Sequence, residues 1–146
     1  MNSVTKVDEG FFVAPQLDAS AAEELRGHGI VAIINNRPDS EEAGQPAAAD
    51  ARLAFEQEGF DYHHVPVTMD TLSPEVVEQF HKAWQQVEGP VVAHCRSGMR
   101  SILLWALAEA RYGSKTPEEI LSRAGAAGFD LSSAASLLRQ VSAMPR

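Results

Sequence analysis

Short apolar runs alternate along the chain with longer stretches whose apolar positions recur every three or four residues, a layout that predicts an α/β layer with a mostly parallel sheet. Phe11-Phe12-Val13 is the first candidate strand. Asp18 or Ser20 can cap a helix over Ala21 to Arg26, with Ser20 and Glu23 at capping-box spacing and Gly27 or Gly29 as the stop. Ile30-Val31-Ala32-Ile33-Ile34 is continuously apolar, as expected of a strand covered on both faces. The turn formers of Asn35-Asn36-Arg37-Pro38-Asp39-Ser40 make a loop, and a helix is expected from near Pro46 to Glu58, closed by Gly59. Phe60 to Val67 reads as a third strand. Ser73 before Pro74 is a cap followed by proline at the first helical position, and Val76, Val77, Phe80 and Trp84 then form a core stripe.

Gly89-Pro90 ends that helix, and Val91-Val92-Ala93 is a fourth strand that delivers His94 and Cys95 to its carboxyl end. A helix follows through Ile102, Leu103, Leu104, Leu107 and Ala108. Another opens on the capping box Thr116-Pro117-Glu118-Glu119, and Phe129, Leu131, Leu137, Leu138 and Val141 belong to a helical C-terminal section. The expected architecture is therefore a compact, mostly parallel four-stranded sheet flanked by helices. No repeat or linker divides it, so residues 1–146 read as one domain.

Composition narrows the function classes. With 146 residues, 45% of them hydrophobic, the chain can build a core without metal or disulfide staples. A formal net charge of -8 argues against nucleic acid or an anionic membrane as the main partner, although an acidic protein can still hold a local basic pocket. No apolar run resembles a signal peptide or a membrane span, so a cytoplasmic location is expected. Cys95 is the single cysteine, which rules out an intramolecular disulfide. His28, His63, His64 and His81 show no ligand spacing, so no metal and no cofactor is assigned.

The chemistry concentrates in His94-Cys95-Arg96-Ser97-Gly98-Met99-Arg100-Ser101, a strand end, a short loop and a helix start. Reactive groups in open α/β sheets gather at strand carboxyl ends. Loop N–H groups from Arg96, Ser97, Gly98, Met99 and Ser101, together with the helix dipole, can form an anion cradle, and such a field favours thiolate over thiol. Gly98 permits a backbone conformation closed to other residues. Arg100 can present a planar fork of donors to two oxygens of an oxyanion. Cys95 is thus the candidate nucleophile, against the alternative of a small buried hydrophobe. Arg96 adds positive potential at the loop mouth or is a surface arginine. Arg37, with Asn35 and Asn36, follows a strand on the same sheet edge and either lines the pocket or makes the turn. Glu41 and Glu42 can orient Arg37 or Arg100 by ion pairing or stand solvated.

The loop resembles that of cysteine-based phosphatases, and Cys95-Arg96-Ser97-Gly98-Met99-Arg100 is closer still to the active-site loop of rhodanese-type sulfurtransferases. Gln16-Leu17, the stretch from Ile33 to Glu42, Gly44-Gln45-Pro46 and Val65-Pro66-Val67 are similar to the bacterial DUF442 family, the phosphatase-like domain of beta-lactamase-hydrolase-like proteins. The resemblance covers roughly residues 10 to 110 and implies a fold similar to dual-specificity phosphatases. It also implies that His94 helps organise the loop, although a satisfied core histidine fits the residue equally. Asp70 lies where those phosphatases carry a general acid, or is an ordinary loop aspartate. Four residues rather than the phosphatases' five separate Cys95 from Arg100, leaving Ser101 at the usual arginine position.

That shorter loop suits a single sulfur atom, so the leading expectation is sulfur transfer: Cys95 takes sulfur from thiosulfate or a persulfide and passes it to a thiol acceptor. The alternative is hydrolysis of a phosphate ester through phosphocysteine, with Arg100 as clamp and Asp70 as acid. A third reading is an anion-binding or redox-sensing module without turnover.

Overall fold

The protein is described by a computed structural model over residues 4–145. Its strands are β1 (Thr5–Asp8), β2 (Phe11–Ala14), β3 (Ala32–Asn35), β4 (Asp61–His64) and β5 (Val91–His94). Its helices are α1 (Ala22–Gly27), α2 (Ala48–Gln57), α3 (Pro74–Gln85), α4 (Met99–Tyr112), α5 (Pro117–Ala126) and α6 (Ala135–Ser142). The sheet runs β1-β2-β5-β3-β4, parallel except for the antiparallel β1. A five-stranded sheet thus replaces the four strands expected. The added strand, Thr-Lys-Val-Asp, buries only Val7, so it carries no apolar run to betray it and is held by backbone pairing across a tight turn at Gly10.

Two cores form on the two faces. Leu25 of α1 and Phe55 of α2 pack over Phe12, Ile33, Tyr62 and Val92. On the other face Val77 and Phe80 of α3, Ile120 of α5 and Leu138 of α6 surround α4, whose residues 101–108 are all buried. A helix apolar on every side belongs inside, and α4 lies between the sheet and its neighbouring helices.

Element ends differ from the expectation for local reasons. β4 stops at His64 because Pro66 has no N–H to continue the ladder, although Val65 and Val67 still donate to the Asn35 and Asn36 carbonyls. α2 begins at Ala48, two residues past Pro46, and its first N–H is taken by Asp39 from nine residues upstream. Asp18, rather than Ser20, caps the short 3-10 turn Ala19–Ala21 that precedes α1. The Ser73 cap and the Thr116–Glu119 capping box form as expected. No described helix is long and apolar enough to cross a membrane.

Candidate functional site

Ala14, Asn35 and His94 stand side by side in register, so the loops after β2, β3 and β5 leave the sheet together. β5 leads to α4 on one face and β3 to α2 on the other, and the crevice between such diverging loops is where open α/β sheets bind ligands.

The loop after β5 curls under the amino end of α4. Gly98, at φ 98°, is the cap of that helix, and its N–H donates to Cys95 Sγ at 3.1 Å. A Cβ at Gly98 would meet Phe129 Cζ at 3.0 Å, so both the dihedral and the neighbour call for glycine. Ser97 Oγ accepts from the Met99 N–H, tightening the same turn. Cys95 is buried, while Arg96, Ser97 and Met99 are exposed at the loop's outer side.

Arg100, in the first turn of α4, lies near Cys95. Its Nη1 donates to Glu41 Oε2 at 2.8 Å and to the Val67 carbonyl at 2.9 Å, and its Nη2 donates to Glu41 Oε1 at 2.9 Å. Three of the five guanidinium donors are thereby used, leaving the edge formed by Nε and the second Nη2 hydrogen. Arg100 sits above the ordinary guanidinium pKa chiefly because it donates to Glu41. Burial opposes that shift, and nearby Cys95 reinforces it.

Behind this pair lies Arg37, only 2% exposed. Its Nε donates to Glu41 Oε1 at 2.9 Å, its Nη2 to Glu42 Oε1 at 3.0 Å and its Nη1 to Gln16 Oε1 at 3.0 Å. Glu42 reaches on to Arg96 at 3.5 Å. Arg37 therefore does not line the pocket; it anchors two carboxylates, each of which grips one arginine of the cradle. The Arg100 hydrogen bond is the main reason the Glu41 carboxyl is held down at about 2, against the effect of burial and with Arg37 helping.

The remaining residues sort by face. Asn36 and Ser101 are buried, and Ser101 Oγ donates to Asn36 Oδ1 at 2.8 Å while Asn36 Nδ2 donates to the Val65 carbonyl. The Ser101 side chain thus ties α4 to the β3 loop. His94 points to the opposite face of the sheet from Cys95, and no described residue hydrogen-bonds either ring nitrogen. The satisfied core histidine is not what is found. Burial pushes its ring down to about 4, and the charges of Arg37 and His64 act in the same sense. The adjoining Cys95 main chain opposes this, although its geometry falls short of a hydrogen bond. Asp70 is exposed and bonded to no described group. Its turn, Thr68–Thr71, begins one residue after the carbonyl that Arg100 holds.

Two members of this assembly carry no local signal. Gln16 fixes Arg37 and donates its backbone N–H to the Arg96 carbonyl at 3.3 Å, and Phe129 packs on Gly98 from beyond α5. The Gln16-Leu17 resemblance covered the first; only tertiary contact reveals the second.

Sheet, cysteine loop and guanidinium together define a phosphatase-like α/β domain. The family described as "Beta-lactamase hydrolase-like protein, phosphatase-like domain" matches residues 3–112, and the chain belongs to it. A beta-lactamase hydrolase-like protein of Agrobacterium fabrum is 35% identical over 141 residues, covering 96% of this chain and 33% of that protein. The chain thus spans about a third of the length of this relative. A crystal structure from Neisseria meningitidis Z2491, provisionally described as a phosphatase, is 40% identical with a TM-score of 0.82, covering 94% of this chain and 96% of that one. A DUF442 structure from Shewanella putrefaciens, with the same provisional description, shares the fold at 22% identity and a TM-score of 0.73, covering 98% of this chain and 93% of that one. These likenesses support the phosphatase-like reading. They lend nothing to the sulfur transfer expected from loop length, which is corrected accordingly.

Proposed function

We propose that the chain hydrolyses phosphomonoesters through a phosphocysteine at Cys95. The observation that carries this is the pairing of Sγ, under the Gly98 N–H, with an arginine whose Nε/Nη2 edge is left open beside it. In this reading two phosphoryl oxygens take that edge and the loop N–H groups take the rest of the charge. The Cys95 thiolate attacks phosphorus, the bond to the ester oxygen breaks, and Asp70 gives the departing oxygen its proton. Water then attacks the phosphocysteine, releasing phosphate and regenerating the thiolate, with Asp70 taking the water's proton.

Phosphate release from an aryl phosphate tests the proposal. Cys95→Ser should abolish it, and Asp70→Asn should lower kcat by about 10²-fold or more, the usual worth of a positioned acid. Full activity in Cys95→Ser would sink the covalent route. No phosphate release, together with a mass gain of one sulfur on Cys95 after thiosulfate, would restore sulfur transfer.

A further inference from the structure

On the helical face, away from the cysteine loop, α3, α4 and α6 part to leave a groove of about 200 Å³. Leu72, Val77, Leu107, Leu137 and Val141 contribute its walls, and Arg111 is the only charged residue among those lining it. Leu137 and Met144, also lining it, stand 40% and 44% exposed. Arg111 lies eleven residues beyond Arg100 on the same helix, about 16 Å along its axis at 1.5 Å per residue, so this is a separate place on the molecule.

Arg111 is set apart from the other described arginines. Arg26, Arg37, Arg52, Arg96, Arg100, Arg123 and Arg139 each hold a carboxylate. Arg111 is half-buried and pairs with no described carboxylate, its guanidinium resting 5.5 Å from the Tyr112 ring centroid. In a chain with 20 acidic residues against 12 basic ones, a half-buried arginine without a counter-ion among the described residues, lining an apolar groove, is a site for an anion attached to an apolar body.

We propose that the groove binds an amphiphilic anion, a carboxylate on a medium-length alkyl chain. The single guanidinium matches one negative charge, and its planar fork matches the two oxygens of a carboxylate. An apolar cavity of ~150 Å³ accommodates benzene, so this groove takes a somewhat longer hydrocarbon. The site does not depend on the reaction at Cys95, and its test reads binding alone.

The test titrates the full chain with octanoate, octanol and octylamine while following the methyl NMR signals of Leu107 and Val141. Octanoate should shift both saturably and bind about tenfold or more tightly than either uncharged or cationic analogue, the margin a charge-assisted hydrogen bond supplies. Arg111→Gln, which keeps most of the stem, should reduce octanoate to the affinity of octanol, and Val141→Trp should fill the groove and remove binding of both. Equal affinities for the three probes, no saturable shift at these methyls, or unchanged octanoate affinity in Arg111→Gln would each overturn the proposal. So would a midpoint that tracks protein concentration as a dimer dissociates, which would assign the groove to a second copy. Should Val141→Trp fail to fold, the head-group comparison and Arg111→Gln decide the matter.

Discussion

A guanidinium as deeply buried as that of Arg37 persists only where its donors are taken, and Gln16, Glu41 and Glu42 take them. The result is a rigid hold on Arg100 through Glu41. Glu41→Gln keeps the shape but turns an amide NH2 against guanidinium donors of Arg37 and Arg100, and should lower both Tm and, by about tenfold or more, kcat/KM for an aryl phosphate. Steady-state kinetics beside a thermal melt would check it. Because Glu41's value is depressed from 4.5 to about 2, its contribution to stability is complete above the ordinary value, fades as pH falls below 4.5, and is gone once pH has passed through about 2. Glu41 itself should therefore add no inflection to the pH–rate profile above 4.5, and the profile of Glu41→Gln should keep its shape there. His94 behaves differently. Its ring is held down from 6.5 to about 4, so the unfolded chain binds the extra proton first. Stability should fall as pH drops from 6.5 to about 4, by about 3 kcal/mol in all at 1.36 kcal/mol per unit. Urea unfolding across that window reads the slope, and a slope unchanged in His94→Gln would refute the assignment.

At the scale of elements, the junction of β5 and α4 rests on one glycine. Gly98→Ala places a Cβ both at positive φ and against Phe129, and should cost about 1–2 kcal/mol for the dihedral with more for the clash. In a Phe129→Ala background only the dihedral part should remain, which denaturant unfolding of the double-mutant cycle can separate. The caps that sequence displayed well were those made by near neighbours, Ser73 on Val76 and Thr116 with Glu119. Asp39, which bonds the first N–H of α2, was illegible as a cap because a turn of nine residues brings it there. The cysteine loop was legible because a strand, a glycine and a helix follow each other without interruption. Its supports were less so: Glu41 meets Arg100 across 59 positions, a pairing that the sequence reading could name only as one option. Chemistry was the least legible layer, since one residue of loop length pointed to sulfur whereas the family to which the chain belongs is phosphatase-like.

Considered as a whole, the molecule surrounds α4 with α3, α5 and α6, and a cluster of ion pairs fastens its α5 side to β1. Lys115 bonds Asp8 at 2.7 Å and Glu109 at 2.8 Å, and Arg123 adds to Asp8 at 3.1 Å, joining β1, α4 and α5. Burial alone would raise the Asp8 value, yet Lys115 and the other partners hold it below the usual range. Lys115→Met should leave two carboxylates facing each other and cost about 1–2 kcal/mol after allowance for solvent, measurable by urea unfolding. The added strand β1 has a wider consequence. It places Thr-Lys-Val-Asp on one border of the sheet while Asp-Tyr-His-His of β4 forms the other, so both open rows of backbone donors and acceptors are guarded by charged or polar side chains. A strand from another molecule would have to desolvate those groups to dock, and the sheet thereby resists end-on growth into larger aggregates.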